Sequence, residues 1–213
     1  MEQGSIAVPT GALLPGALKL LSAAGLARLS APELGRKLMV ERGGVRVVLV
    51  RPLDVPAYVD HGAADLGIVG KDVLWESDGR HYELVDLRFG ACRLVLAVPE
   101  SSKLAGPETW PPLLRIATKY PRTTSRWFDA RGQAVEVVTL HGSVELAPQV
   151  GLVDGIVDLT ASGRTLKENR LRVAAVLGES TARLVANQAS LKTRTEAMQA
   201  MVARVREALN GAG

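Results

Sequence analysis

The sequence predicts an α/β protein built on parallel strands, and three observations carry that prediction. Leu, Val and Ala dominate, while aromatic residues are only 4% of the 213-residue chain, a composition suited to strands buried on both faces. Short apolar runs recur, several of them closed by Gly or Pro. Between them lie stretches whose apolar residues keep the three- and four-residue spacing of a helix, and this alternation points to βαβ units.

The elements follow in order. Ser5 to Val8 reads as a strand running into the turn Pro9-Thr10-Gly11. Leu14, Ala17, Leu18, Leu21 and Ala24 then mark a buried helical face, with Pro15 in its first turn and Gly25 at its C-terminal cap. Val45 to Val50 is a central strand, stopped by the prolines of Arg51 to Pro56. Ala64 to Val69 is another, ending at Gly70, with Asp72 placed to cap the short helix after it. Cys92 to Val98 is an apolar strand, and Pro99 to Pro112 a connection rich in proline and glycine. Beyond it come a strand at Arg115 to Thr118, a helix at Pro121 to Arg131 and a strand at Ala134 to Leu140. Gly155 to Asn169 is a strand, loop and helix, and Arg172 to Asn187 holds two more apolar stretches. A closing helix begins near Leu191, with Met198, Met201, Val202, Val205 and Leu209 on one face. Two α/β lobes with a cleft between them are the expected layout.

Composition removes several classes of function. Hydrophobic residues at 47% and charged residues at 23% argue against disorder. No apolar run approaches the roughly 20 residues of a membrane helix. The start of the chain carries no secretory pattern, so a cytoplasmic protein is expected. The net charge of +4 fits a solvated basic surface or a polyanionic substrate. There is no block of five basic residues and no basic–aromatic interleaving, so nucleic acid is not the expected partner. Cys92, the single cysteine, is expected to be a buried, inert thiol. His61, His81 and His141 lack metal-ligand spacing and read as surface or structural residues.

The chemistry concentrates between Asp154 and Thr165. The strand Gly155 to Leu159 ends beside Asp158, the small residues Thr160, Ala161, Ser162 and Gly163 form a loop, and a helix opens at Arg164 and Thr165. Small residues let the backbone approach a ligand, and amides at a helix start favour phosphate. An ordinary strand-turn-helix with a capping hydroxyl has the same pattern. Asp154 and Asp158 are placed to accept from the hydroxyls of a sugar carried on such a phosphate.

The stretch DGIVDLTASGRTLKENRL, Asp154 to Leu171, is similar to the phosphoribosyl signature of the ATP phosphoribosyltransferase family. Five further blocks resemble that family in order: Arg51-Pro52 with Asp54-Val55-Pro56, Gly62 with Ala64 to Gly67, Gly70 with Asp72 to Leu74, Ala117 to Pro121, and Gly142 to Leu146. The resemblance implies two lobes like type II periplasmic binding proteins, residues 1–92 with 180–213 on the ATP side and 93–179 on the phosphoribosyl pyrophosphate side. It implies a reaction in which N1 of ATP displaces pyrophosphate from the ribose, with Mg²⁺ on the pyrophosphate, as the first step of histidine biosynthesis. The 5′-phosphate is expected on Ser162 to Thr165, the ribose on Asp154 or Asp158, and Glu145 near the reacting sugar. Gly11, Arg51, Asp54, Gly70 and Asp72 match the ATP half.

Two departures stand out. Thr10-Gly11-Ala12 replaces a Lys-Gly start, leaving Arg28, Arg51 or a partner to supply the cation. Ala161 stands where glutamate is common. The length resembles the short form of the family, which implies a homodimer assembling with a regulatory subunit similar to histidyl-tRNA synthetase. The alternatives are a catalytically impaired relative, or a small-molecule binding protein of the same fold.

Overall fold

A computed structural model of the chain describes residues 4–104, 106 and 109–211. The opening Met1 to Gln3 and three residues of the Pro99 to Pro112 connection lie outside the described residues. Two compact units result: residues 1–90 with 181–213, and residues 91–180.

In chain order, the first passage through the first unit holds β1 (Gly4–Pro9), α1 (Leu14–Ala23), α2 (Ala31–Leu34), β2 (Met39–Arg42), β3 (Val45–Val50), α3 (Val55–Asp60), β4 (Leu66–Gly70), α4 (Lys71–Glu76) and β5 (Tyr82–Asp86). The second unit holds β6 (Cys92–Pro99), β7 (Leu113–Thr118), α5 (Pro121–Asp129), β8 (Ala134–Thr139), β9 (Gly155–Thr160), α6 (Arg164–Glu168) and β10 (Leu171–Ser180). The chain then returns to the first unit with β11 (Ala182–Ala186), α7 (Gln188–Thr193) and α8 (Thr195–Asn210).

The first sheet has the order β2-β3-β1-β4-β11-β5, in which β3, β1 and β4 are parallel and their outer neighbours antiparallel. Alternation along β1 sends Ile6 and Val8 into a core with α1 and α8, and Ala7 into a second core with Val55, Val59 and Val73. Helices therefore leave β1 and its neighbours on opposite faces, the arrangement that opens a crevice at the carboxyl ends of the strands. Gly67 is needed here. A Cβ at that position would meet Val59 at 2.7 Å and Val55 at 2.9 Å, so any side chain would push α3 off the sheet. The face predicted for the last helix is the one buried: Met198, Met201, Val202 and Val205 join the α1 core.

The second sheet has the order β10-β6-β9-β7-β8, with β9, β7 and β8 parallel. β6 runs antiparallel to both β9 and β10. Ala97, Ala117 and Ile156 bury one face under Val144, Ala147 and Leu166. On α5, Phe128 is fully buried and stacks edge-on with Trp127, their centroids 5.0 Å apart.

The expected parallel units are present, with antiparallel strands added to each sheet. β2 and β5 escaped the sequence reading because both are short, largely exposed edge strands without an apolar run. Asp72 does not cap α4. Gly70 holds the cap position, and Asp72, 5% exposed, lies in the first turn with its carboxylate folded over Gly70. Cys92 is half-buried rather than buried, because it is the first residue of β6. His81 is structural, its Nδ1 3.0 Å from the Asp60 carboxylate.

Candidate functional site

The second unit gathers its chemistry at the carboxyl ends of β7 and β9. Thr118 closes β7 and is fully buried, and its hydroxyl donates to the Val157 carbonyl at 2.7 Å. The same oxygen accepts from the Tyr120 amide at 2.9 Å. These two bonds fix the residue between them, Lys119, against the end of β9. Its ammonium stands 4.0 Å from the Asp158 carboxylate.

Asp158 is the unusual group. Its neighbours on the same face of the sheet are Val95, Ala97 and Ile156, and it is 8% exposed. Burial pushes its pKa above the usual carboxylate value and nearby Glu145 pushes it further, while Lys119 and the Leu159 amide, 2.9 Å from Oδ1, pull it back. The net direction is upward. An ionised carboxylate costs several kcal/mol to bury, so a fold retains one where it has work to do or a full set of partners. Here, among the described residues, the partner set is incomplete.

Glu145 arrives from a different segment. It lies in the helical turn Val144–Leu146, which Ser143 opens in the left-handed region at φ 48°. That conformation is strained for serine by about 1 kcal/mol and recurs where a chain must be aimed. Val144 anchors the turn in the core beside Ala117 and Leu166, leaving Glu145 half-buried above it.

The loop after β9 completes the group. Gly163 has φ +76° at the N-terminus of α6, a conformation open to glycine at no steric cost. The Thr160 hydroxyl accepts from the Gly163 amide at 2.9 Å, and the Ser162 hydroxyl lies 3.4 Å from the Arg164 amide. The amides of Thr165 and Leu166 have no acceptor within the helix, as in any first turn. Ala161, Ser162, Arg164 and Thr165 are exposed. The loop thus offers hydroxyls, amides and one guanidinium to an anion, beside a buried carboxylate.

Asp154 and Gly155 do not belong to this group. They sit at the opposite end of β9, about 15 Å from the loop at the usual rise per residue. Asp154 is a clamp: its carboxylate accepts from the Arg115 amide at 2.8 Å, and its own amide donates to the Arg115 carbonyl at 2.9 Å. Gly155 is buried where a Cβ would meet the Ala97 carbonyl at 2.9 Å. The sequence reading offered Asp154 or Asp158 for the ribose, and the length of β9 divides the two. It also left out Lys119, whose signal was its place directly after a strand end.

In the first unit, Gly11 follows β1, Arg51 and Asp54 follow β3, and Gly70 and Asp72 follow β4. All five therefore lie at the carboxyl edge of three adjacent parallel strands. Gly11, Arg51 and Asp54 are exposed, while Gly70 and Asp72 are buried. The Thr10 amide donates to the Val50 carbonyl at 2.9 Å, holding the loops after β1 and β3 together.

Comparison with known proteins adds independent findings. The family model for ATP phosphoribosyltransferase matches residues 51–207. The ATP phosphoribosyltransferase of Rubrobacter xylanophilus is 50% identical over 202 residues, 94% of each chain. That of Caldanaerobacter subterraneus is 43% identical over 213 residues, 99% of this chain and 100% of the other. Among solved structures, the ATP phosphoribosyl transferase (HisG:HisZ) complex from Thermotoga maritima contains a chain with TM-score 0.82 at 34% identity, covering 97% of this chain and 98% of that one. The periplasmic aliphatic sulphonate binding protein from Escherichia coli reaches 0.65 at 16% identity, over 98% of this chain and 69% of that one, a likeness of fold alone.

Proposed function

Because the chain belongs to the ATP phosphoribosyltransferase family, we propose that its second unit seats phosphoribosyl pyrophosphate and its first unit receives ATP. The protein is a pentosyltransferase, and its reaction is the first step of histidine biosynthesis. In that reaction N1 of the adenine forms a bond to C1 of the ribose while the bond from C1 to pyrophosphate breaks, its electron pair leaving with the pyrophosphate. N1 carries no proton, so attack needs no general base. What it needs is placement of two reactants and stabilisation of positive charge at the sugar.

One observation carries the assignment of residues. Asp158 is a buried, incompletely paired carboxylate facing Lys119 and Glu145, next to a loop of hydroxyls and amides. In this reading the 5′-phosphate rests on Thr160 to Thr165, with Ser162 and Thr165 donating to it. The ribose lies over Asp158, which accepts from its hydroxyls, and Glu145 offsets the charge that builds at C1. Asp154 has no part in it. Gly11, Arg51, Asp54, Gly70 and Asp72 form the ATP side.

Mg²⁺ fits as a passenger on the substrate. Burial above all, and the charge of Glu145 as a lesser cause, raise the pKa of Asp158, and a divalent ion arriving on the pyrophosphate would relieve the repulsion between the two carboxylates. Its chemistry there is to neutralise the leaving group. A regulatory subunit resembling histidyl-tRNA synthetase, joined to a catalytic homodimer, is supported by the solved relative being part of a two-component complex. Action in the cytoplasm belongs to the same proposal, and among the described residues no helix is long and apolar enough to cross a membrane.

The test is pyrophosphate release from ATP and phosphoribosyl pyrophosphate with Mg²⁺, with and without the candidate subunit, using pyrophosphatase to pull the equilibrium. Turnover that rises with the subunit and falls with histidine supports the full reading. Full activity and histidine sensitivity of the chain alone would overturn the proposed partner. Substrate binding without turnover in either condition would mark an impaired relative.

A further inference from the structure

Arg93 has no role in anything described above, yet its position is specific. It is the second residue of β6, on the face that carries Val95 and Ala97, and it pairs in register with Thr160, the first residue of the anion loop. Directly opposed residues of an antiparallel pair share a face, with Cβ atoms about 5 Å apart. α6 packs against β9 and β10, the strands on either side of β6. The chain from Thr160 to Arg164 must therefore pass the end of β6 where Arg93 stands. Arg93 is exposed, and its side chain has no hydrogen-bond or ion-pair partner among the described residues. Glu179, its register partner on β10, makes no ion pair with it.

We infer that Arg93 is a binding residue of the anion loop, its guanidinium reaching from the neighbouring strand to the phosphate monoester the loop holds. This rests on the reading of that loop as the seat of the 5′-phosphate. A planar guanidinium suits the task because it donates two parallel hydrogen bonds to phosphate oxygens while carrying full charge. From Thr160 to Thr165 the loop itself brings one cation, Arg164, and no acidic residue.

Titration calorimetry with ribose 5-phosphate and with phosphoribosyl pyrophosphate separates the two ends of the substrate. Arg93→Met is expected to weaken both ligands by the same factor, about tenfold or more, the scale of one charge-assisted hydrogen bond. Melting temperature should stay within a degree or two, and Arg93→Lys should recover part of the affinity. If ribose 5-phosphate binds Arg93→Met as it binds the parent chain, the inference is wrong. If phosphoribosyl pyrophosphate loses much more than ribose 5-phosphate, Arg93 serves the pyrophosphate end, and the inference is equally overturned. Gly163→Val tests the underlying reading separately: unchanged ribose 5-phosphate affinity there means that the loop is not the phosphate seat.

Discussion

The two units are built on one topological plan. The order β3-β1-β4-β11-β5 in the first matches β8-β7-β9-β6-β10 in the second, with three parallel strands followed by an antiparallel one in each. The match extends to single residues. Asp65 enters β4 by donating its amide to the Ser5 carbonyl at 3.1 Å and accepting the Ser5 amide on its carboxylate at 2.8 Å. Asp154 enters β9 with the same pair of bonds to Arg115. Placing one clamp on the other sets Val69 opposite Asp158, four residues on in each case, and Pro9 opposite Lys119. Val69 is fully buried among Ala7 and Val73. One plan therefore tolerates valine at that position, and the second unit spends a buried carboxylate there. What differs between equivalent positions is function, and what is shared is scaffold.

The sharpest way to break this comparison is Asp158→Val, which gives the second unit the residue of the first. Loss of one preorganised charged group at the reacting centre predicts a fall in kcat/KM of about 10²–10³-fold. Stability should hold or rise, because an incompletely paired buried charge is replaced by an apolar side chain. The sign with pH follows from the raised pKa. The ionised form is penalised in the fold above that pKa and relieved below it, so the gain in melting temperature should appear near neutrality and vanish in acid. A large loss of stability at neutral pH would mean that Asp158 is scaffold after all.

Asp65 should behave in the opposite way. Its carboxylate accepts from the amide and hydroxyl of Ser5, from Ser190 at 2.7 Å and from Arg194 at 2.8 Å. Burial raises its pKa, but the hydrogen bonds of Ser190 and Ser5 and the charge of Arg194 outweigh it, and the net direction is downward. Its stabilisation is therefore present above the unfolded-state pKa and lost as pH falls through the folded value. Asp65→Ala should cost about 2–3 kcal/mol near neutrality, seen as a drop of roughly 5–10 °C in melting temperature. Kinetics of the folded fraction should stay near those of the parent.

Much of this plan was legible in the sequence, for a physical reason. Central strands covered on both faces, such as the parallel Val45 to Val50 and the antiparallel Cys92 to Val98, must be largely apolar, and the small residues at their ends must make tight turns. β2 and β5 were not legible, because an exposed edge strand has no need of an apolar run. The site was half legible. Gly163 and the hydroxyls around it announce a tight loop by residue type alone. The roles of Asp154 and Asp158 depend on which end of β9 each occupies, and a carboxylate reads the same at either end. Lys119 follows a strand end in the Ala117 to Pro121 block, but its place beside Asp158 depends on Thr118 tying β7 to β9.

Lys119 permits a finer test. Lys119→Met removes the charge that favours ionised Asp158, so the pKa of that carboxylate should rise further. The acid limb of kcat/KM should then move to higher pH, with a loss of several-fold near neutrality. Lys119→Arg should restore the parent profile, since it keeps the charge at similar reach. A uniform loss with no movement of the limb would show that Lys119 acts on substrate alone.

The smallest expected effect belongs to Asp154, and it decides whether the shared clamp is a true equivalence. Its side chain is 31% exposed, and Arg115 beside it is 45% exposed, so water screens their 3.4 Å contact. The remaining bond, from the Arg115 amide, is one ordinary strand-entry hydrogen bond. Asp154→Ala should therefore cost about 1 kcal/mol, well below Asp65→Ala, where four donors converge on one carboxylate. Neither variant should change KM for phosphoribosyl pyrophosphate. A rise in that KM with Asp154→Ala, at unchanged stability, would return Asp154 to the substrate and end the comparison between the two clamps. The expected pairing, a small melting shift with intact kinetics, would instead separate two acids four residues apart into one that holds the sheet and one that the sheet holds in place.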